Sequence, residues 1–483
     1  VANVAHYPNI VEAKAIQRAR ALFERLFPLR QNFTVTFWDG STLPATGAPR
    51  FNIVIRHAGA PHRMLKPPLE LSLGEAFIHG DFDIEGDIFS AFSLFDVLAA
   101  RALSSGGMVA LCRDWLALPK AMMDAKPSRL PAQLSGGLHT REHDRAAIQY
   151  HYDVGNEFYA LWLDRNMQYS CAYFATSAED IDTAQQQKME HICRKLRLKP
   201  GERLLDIGCG WGGLARYAAK RYGVRVLGVT LSERQMEYGN LEAARSGLSD
   251  CVCIKLRDYR DLAGESFDKI VSVGMFEHVG RERLPEYFAH AYRLLKPSGV
   301  FLNHGISSRP AQAPRVAEGN AACCDPRQTV DSVTGESAKR EARPQSSLSR
   351  RILGAGSFVQ RYVFPDGELV PVSEVNLMAE RAGFEVRDVE NLREHYALTL
   401  RQWVNRLEAN RTAAIQASNE TAYRTWRLYM SASAYAFERG RITVNQTLLS
   451  KNEMGGASDL PLTRGDLYAS TNESLSRESI RGW

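Results

Sequence analysis

The stretch LLDIGCGWGG, Leu204 to Gly213, runs from an apolar strand through closely spaced glycines into a helical segment. Gly208 and Gly210 let the backbone turn tightly and leave room for a ligand against the main chain at the carboxyl end of the strand. The pattern is neither GxGxxG ahead of a long helix nor the GxxxxGK[ST] phosphate cradle. Outward from it, apolar runs alternate with helical segments: VRVLGVTLS, a helix to Gly247, CVCIKLRDY, FDKIVSVGMFEHV, a further helix and VFLNHGI. This rhythm, beginning near Arg141, predicts an α/β fold with a doubly wound, mostly parallel sheet. A glycine-rich turn of purely structural purpose fits that setting less well.

Strand ends in such sheets carry the ligand contacts. Asp206, just before the glycine pair, suits a cationic ligand such as S-adenosylmethionine. Thr230, Leu231 and Ser232 end the second strand, where a ribose is expected, and Asp258 and Tyr259 end the third, in reach of an adenine. Glu277 and His278 in MFEHVG reach the same rim; spacing alone leaves Glu277 open as a catalyst or a salt-bridge partner.

Composition is that of a globular protein. The 483 residues are 24 % charged, with 60 Lys+Arg against 55 Asp+Glu and a formal net charge of +5. This excludes a fibrous or wholly disordered chain and suggests two to four domains. The mild positive balance falls short of a dedicated nucleic-acid binder, but suits an anionic membrane surface. Eight cysteines without CxxC pairs argue against a zinc site or a disulfide framework, no metal site is expected, and a reducing compartment fits. No N-terminal apolar region precedes a cleavage site, and no run approaches the ~18 apolar residues of a spanning helix. The expectation is a cytoplasmic protein.

Lys14 to Phe27 has an apolar face (Ile16, Ala19, Phe23, Leu26, Phe27) and a basic one (Lys14, Arg18, Arg25), which predicts an amphipathic helix packed on its own domain or lying on a membrane. FTVTFWDG and FNIVIRH read as half-buried strands. Gly74 to Asp87 lacks calcium-loop spacing and reads as a structural turn. The expected organisation is a smaller α+β domain over 1–103, a helical linker over 104–140, a catalytic domain over 141–450 with a mobile insertion at 309–356, and a disordered tail over 451–483. The insertion is read either as a lid over a lipid entrance or as a tolerated surface segment. Helical periodicity marks VSEVNLMAERAGF and the span from Thr399 to about Leu449.

Eight segments together resemble the cyclopropane-fatty-acid–phospholipid synthase family, which includes the mycolic acid cyclopropane synthases. They are IQYHYDVGNEFYALWL (Ile148 to Leu163), MQYSCAYF (Met167 to Phe174), LLDIGCGWGG, GVTLSERQ (Gly228 to Gln235), VSVGMFEHVG (Val271 to Gly280), FLNHGI (Phe301 to Ile306), YVFPDGEL (Tyr362 to Leu369) and EHYALTLRQW (Glu394 to Trp403). The resemblance implies a seven-strand methyltransferase fold and S-adenosylmethionine as methylene donor to a cis double bond of a phospholipid acyl chain. It implies a bicarbonate ion as base, held by residues matching Cys171, Glu277, His304, Ile306 and Tyr396. The implied donor-binding positions are Tyr169, Ser170, Gly208, Gly210, Thr230, Leu231 and Gln235. Similarity weakens before Arg141, where GEAFIHGDFDIEGD still looks like the lipid-engaging N-terminal domain of longer bacterial members. A homodimer, peripheral contact with the inner face of an anionic membrane and no nucleic-acid partner complete what the resemblance implies.

Such chemistry needs an alkene held in line with a sulfonium methyl, water kept out, and aromatic faces around the carbocation. Tyr152, Phe158, Tyr159, Tyr169, Tyr173, Phe174 and Tyr396 are the candidate faces. Cys171 reads as a pocket residue rather than a nucleophile. Alternatives are the same methyl transfer ending in a methylene- or methyl-branched chain, a nucleic-acid or protein methyltransferase, and a lipid-binding module with an inactive methyltransferase domain.

Overall fold

The computed structural model describes residues 10–102, 107–120, 140–152, 154–310, 357–365 and 367–468. Two sheets organise them. The smaller has the order β2-β1-β3-β4, formed by β1 (Phe33–Thr36), β2 (Thr42–Leu43), β3 (Phe51–Ile55) and β4 (Phe82–Gly86). Alternate residues of β1 and β3 are buried, as the sequence alternation predicts. The helix Ile10–Leu26 lays Ala19, Leu22, Phe23 and Leu26 on this sheet, with Phe33 stacked on Phe51 at 5.2 Å beneath it. The amphipathic face is therefore covered by its own domain.

The larger sheet has seven strands: β5 (Arg203–Ile207), β6 (Arg225–Thr230), β7 (Val252–Leu256), β8 (Phe267–Val273), β9 (Leu295–Ser308), β10 (Glu385–Asn391) and β11 (Ile442–Ser450). Their order is β10-β11-β9-β8-β5-β6-β7. All ladders from β9 to β7 are parallel, and β11 alone runs antiparallel to its neighbours β9 and β10. Near-continuous apolar runs such as Leu204-Leu205 and Ile270-Val271 are buried because helices cover both faces. The strand order reverses at β5, which puts its carboxyl end, and thus the glycine turn, at the switch point.

Three expectations are corrected. Ile442–Ser450 is a strand, not the end of a helical span: its helical spacing of apolar residues is overridden by pairing on both edges within the sheet. The segment Gly74 to Asp87 is the end of the helix Leu69–Ile78, a turn at Gly80 and β4, not a turn throughout. Gly74 sits where a Cβ would meet the Phe358 ring at 2.2 Å, so the glycine permits close packing. Residues 451–468 of the expected disordered tail pack on the body: Leu467 is buried, Arg464 pairs with Asp388 at 2.8 Å, and Asp466 pairs with Arg197 at 3.1 Å. Residues 469–483, most of the expected insertion (311–356) and 121–139 of the expected linker lie outside the described residues; within the linker span, Gly107–Leu116 is helical.

The small sheet is pinned to the large domain by the helix Glu420–Glu438. Arg424 donates to the Phe77 carbonyl at 3.1 Å and pairs with Asp83 at 2.7 Å, while Arg427 donates to the Ile84 carbonyl and to Glu408. Among the described residues no helix is long and apolar enough to cross a membrane.

Candidate active site

An apolar cavity of about 750 Å³ begins at the carboxyl edge of β8 and β9 and continues beneath the N-terminal domain. Its inner end is lined by Cys171, Glu277, His304, Ile306 and Tyr396, so the five positions implied as catalytic are brought together. Tyr169 and Ser170 line it as well. Its outer reach is lined by Phe23, Met64, Leu65, Phe92 and Leu98 of the N-terminal region.

Glu277 sits in the short turn Phe276–His278 after β8. One carboxylate oxygen, Oε1, accepts the Ile306 N–H at 2.7 Å, and the other is buried without a hydrogen-bond partner among the described residues. Burial raises its pKa to about 7, against the Ile306 hydrogen bond that lowers it. His304, on β9, is buried; the Gln446 side-chain amide donates to its Nδ1 at 3.1 Å, which leaves the proton on Nε2. That Nε2 is buried and without a partner among the described residues. Burial, with the nearby Lys188 and Lys195, drops the imidazole pKa to about 3, so the ring is neutral. An unpaired buried acceptor and donor thus border one cavity, an arrangement that a small group both donating and accepting would satisfy.

Cys171 donates its thiol to the Ala172 and Leu392 carbonyls at 3.2 and 3.7 Å. Burial pushes its pKa well up, so it stays a thiol rather than an activated nucleophile. Tyr396 packs on Phe437 at 4.7 Å, and burial beside Tyr429, Cys171 and Glu277 keeps its hydroxyl protonated. Of the expected aromatic faces, Tyr152, Tyr169 and Tyr396 line the cavity. Phe158 and Tyr159 are instead core residues, Tyr173 stacks on His191 at 4.3 Å, and Phe174 packs beside His395. Tyr429, Phe364 and Phe437 line the cavity and were not expected; they sit on segments where only helical periodicity or motif matching was legible.

The glycine turn lies beside the inner end. Gly208 and Gly210 both have left-handed backbone, φ 74° and 54°. At Gly208 a Cβ would meet Met275 at 2.8 Å, whereas nothing lies within 4 Å of the Gly210 position, leaving an open approach to the main chain. On the adjoining β6, Thr230 donates its hydroxyl to Gln235 Oε1 at 2.8 Å, Leu231 is half-buried, and Ser232 caps the helix Glu233–Arg245. The Gln235 amide nitrogen is buried and without a hydrogen-bond partner in the described set, as is Asp206 Oδ2. Burial raises Asp206 to about 7 against the pull of Lys188. An open glycine backbone and unpaired polar groups at neighbouring strand ends fit a nucleoside bearing a cationic group. Asp258 and Tyr259 follow β7 at the same edge, but the Asp258 carboxylate is taken by Arg260, at 2.6 and 2.9 Å, and the Tyr259 ring packs edge-on to Tyr287. No group of three or more potential metal ligands occurs among the described residues.

A seven-strand, mostly parallel sheet with a glycine-rich turn at its switch point defines a methyltransferase fold, here with a separate N-terminal α+β region. The chain belongs to the family described as mycolic acid cyclopropane synthetase, whose model matches residues 139–447, and is an S-adenosylmethionine-dependent methyltransferase of that family. A second model, a domain of unknown function, matches residues 19–97. A probable fatty acid methyltransferase of Pseudomonas putida is 38% identical over 442 residues, 91% of this chain and 96% of its own. The cyclopropane-fatty-acyl-phospholipid synthase of Escherichia coli is 37% identical over 306 residues, covering 63% and 68%. The crystal structure of mycolic acid cyclopropane synthase CmaA1 complexed with SAH and CTAB aligns with a TM-score of 0.54 at 33% identity, over 64% of this chain and 98% of the other.

Proposed function

We propose that the protein transfers a methylene group from S-adenosylmethionine to the cis double bond of an unsaturated phospholipid acyl chain, giving a cyclopropane fatty acid. The observation that carries this reading is the apolar cavity that ends on Glu277, His304 and Tyr396 beside the glycine turn. Its volume lies within the ~300–1,000 Å³ usual for ligand sites, and its lining is that of a lipid tail's surroundings.

When bound, S-adenosylmethionine supplies an electrophilic methyl group on a sulfonium. Tyr169, Ser170, the Gly208–Gly210 turn, Thr230, Leu231 and Gln235 would hold it. The apolar walls exclude water and align the alkene, and the faces of Tyr152, Tyr169, Tyr396 and Tyr429 stabilise positive charge on the acyl chain. Loss of a proton from the added methyl group then closes the ring. The unpaired Glu277 Oε2 and His304 Nε2 fit a bicarbonate ion, which would supply a base there; the Ile306 N–H serves by orienting Glu277. Phospholipid would be reached by peripheral contact with an anionic bilayer.

A second reading has a specific support: the Pseudomonas putida relative, described as a probable fatty acid methyltransferase, shares the N-terminal region too. The same methyl transfer, followed by a 1,2-hydride shift that moves the cation onto the methyl-bearing carbon and by proton loss from that methyl, would leave a methylene branch. Vesicles of unsaturated phospholipid incubated with labelled donor test the proposal: wild type labels the acyl chain, whereas Glu277→Gln and Tyr396→Phe lose most turnover while still binding S-adenosylhomocysteine. Near-normal turnover in both variants would remove the assigned base site.

A further inference from the structure

The helix Ile181–Leu196 carries a lysine on its most buried face. Ile181, Ala184, Met189 and Ile192 are the apolar residues there, and Gln185 and Lys188 share the stripe with no exposure. Burying an ammonium is costly unless its hydrogen bonds are met. Lys188 Nζ donates to Gln168 Oε1 at 2.6 Å and to Ser170 Oγ at 2.9 Å. One turn earlier, Gln185 Nε2 donates to the Ser170 carbonyl at 2.8 Å. Both ends of the Gln168-Tyr169-Ser170 tripeptide are therefore gripped from one helix.

The grip reaches the glycine turn. A Cβ at Gly213 would meet the Asn166 carbonyl oxygen at 2.2 Å and Gln168 Nε2 at 2.3 Å, so this loop lies directly on the first residue of the helix that follows LLDIGCGWGG. The loop also holds Met167 in left-handed backbone, φ 56°, a conformation that persists only where surroundings enforce it. Asp164 helps by accepting the Gln168 N–H at 2.7 Å. Burial lowers the Lys188 pKa to about 8, partly opposed by the nearby Asp164 and Asp206 carboxylates, so the group is still mostly an ammonium at neutral pH.

We infer that Lys188 is a positioning residue for the methyl donor: its ammonium locks Tyr169 and Ser170 against the glycine turn, so that the two walls of the donor site are preformed. The inference rests on the donor lying between those walls, as proposed above. Calorimetric titration of the full chain with S-adenosylhomocysteine tests it. Lys188→Met should weaken binding at least tenfold and raise the KM for donor, while the KM for unsaturated phospholipid vesicles stays within twofold. Lys188→Arg, which keeps charge and donors, should recover most of the affinity. Should Lys188→Met fail to fold, Gln168→Met removes one acceptor of the ammonium without altering charge or a residue assigned to the donor, and should weaken donor binding about threefold. Binding within experimental error of wild type in the folded variant would overturn the role, as would equal losses for donor and lipid. Gly210→Val separates the two ideas: if it abolishes donor binding while Lys188→Met does not, only the role of Lys188 falls; if neither variant affects binding, the donor placement falls.

Discussion

Gln446 and His304 face each other across the β9/β11 ladder as register partners, and the glutamine amide donates to Nδ1 of the imidazole at 3.1 Å. The pairing sets which nitrogen carries the proton and aims Nε2–H at the cavity. Gln446→Leu removes the donor and frees the ring to change tautomer. Turnover should fall roughly tenfold, equivalent to about 1.4 kcal/mol of transition-state stabilisation, with S-adenosylhomocysteine affinity unchanged by calorimetry. Unaltered turnover would show that the tautomer is immaterial.

Glu277 has a folded-state pKa of about 7, above its ordinary 4.5, because burial disfavours its charge. Between these values the native state binds more protons than the unfolded chain, so this group's contribution to stability is complete at low pH and is lost as pH rises through about 7. Glu277→Gln has no such titration. Relative to wild type, the variant should gain roughly 2–3 kcal/mol between pH 5 and pH 8, read from urea unfolding at each pH. A constant difference across that range would mean that Glu277 is not desolvated.

Cys171 is held as a buried thiol, whereas Cys253 is exposed. Iodoacetamide at neutral pH should alkylate Cys253 well before Cys171, as peptide mass spectrometry would report. Cys171→Ser should keep turnover within a few-fold of wild type. Loss of all activity together with rapid labelling of Cys171 would instead indicate a nucleophile.

Gly74 and Phe358 touch where both line the cavity under the N-terminal domain. Gly74→Val drives the phenyl ring into the space assigned to the acyl chain, with an overpacking cost of about 1–3 kcal/mol. The KM for phospholipid should rise severalfold, most for the longest chains, with donor binding intact. Equal kinetics across chain lengths would place the acyl chain elsewhere.

Five parallel strands were legible because their apolar runs are continuous, and the glycine turn because its spacing is unusual. β10 and β11 were not. Only Asp388 of β10 is buried, since it forms the sheet edge, and its charged residues hide the strand. β11 buries Asn445, Gln446 and Thr447 between β10 and β9, where Gln446 meets His304 and Thr447 meets Asn376, partners distant in sequence for residues that the sequence presents as solvent-seeking. The residues implied as catalytic were reached through family resemblance, and their supports were not: Lys188, Gln185 and Gln446 act on side-chain oxygens, a main-chain carbonyl and a ring nitrogen distant in sequence. Polar residues interrupting an apolar helical stripe, as Gln185 and Lys188 do, were the one available signal.

The most direct test is structural analysis of the acyl product after incubation of the protein with vesicles of cis-unsaturated phospholipid and methyl-labelled S-adenosylmethionine. The account predicts label in the acyl chain at the former double bond, with mass spectrometry showing one added carbon and NMR showing cyclopropane ring protons. An NMR spectrum showing a methylene branch would establish the second reading. Unlabelled lipid, or label confined to protein or nucleic acid, would contradict both.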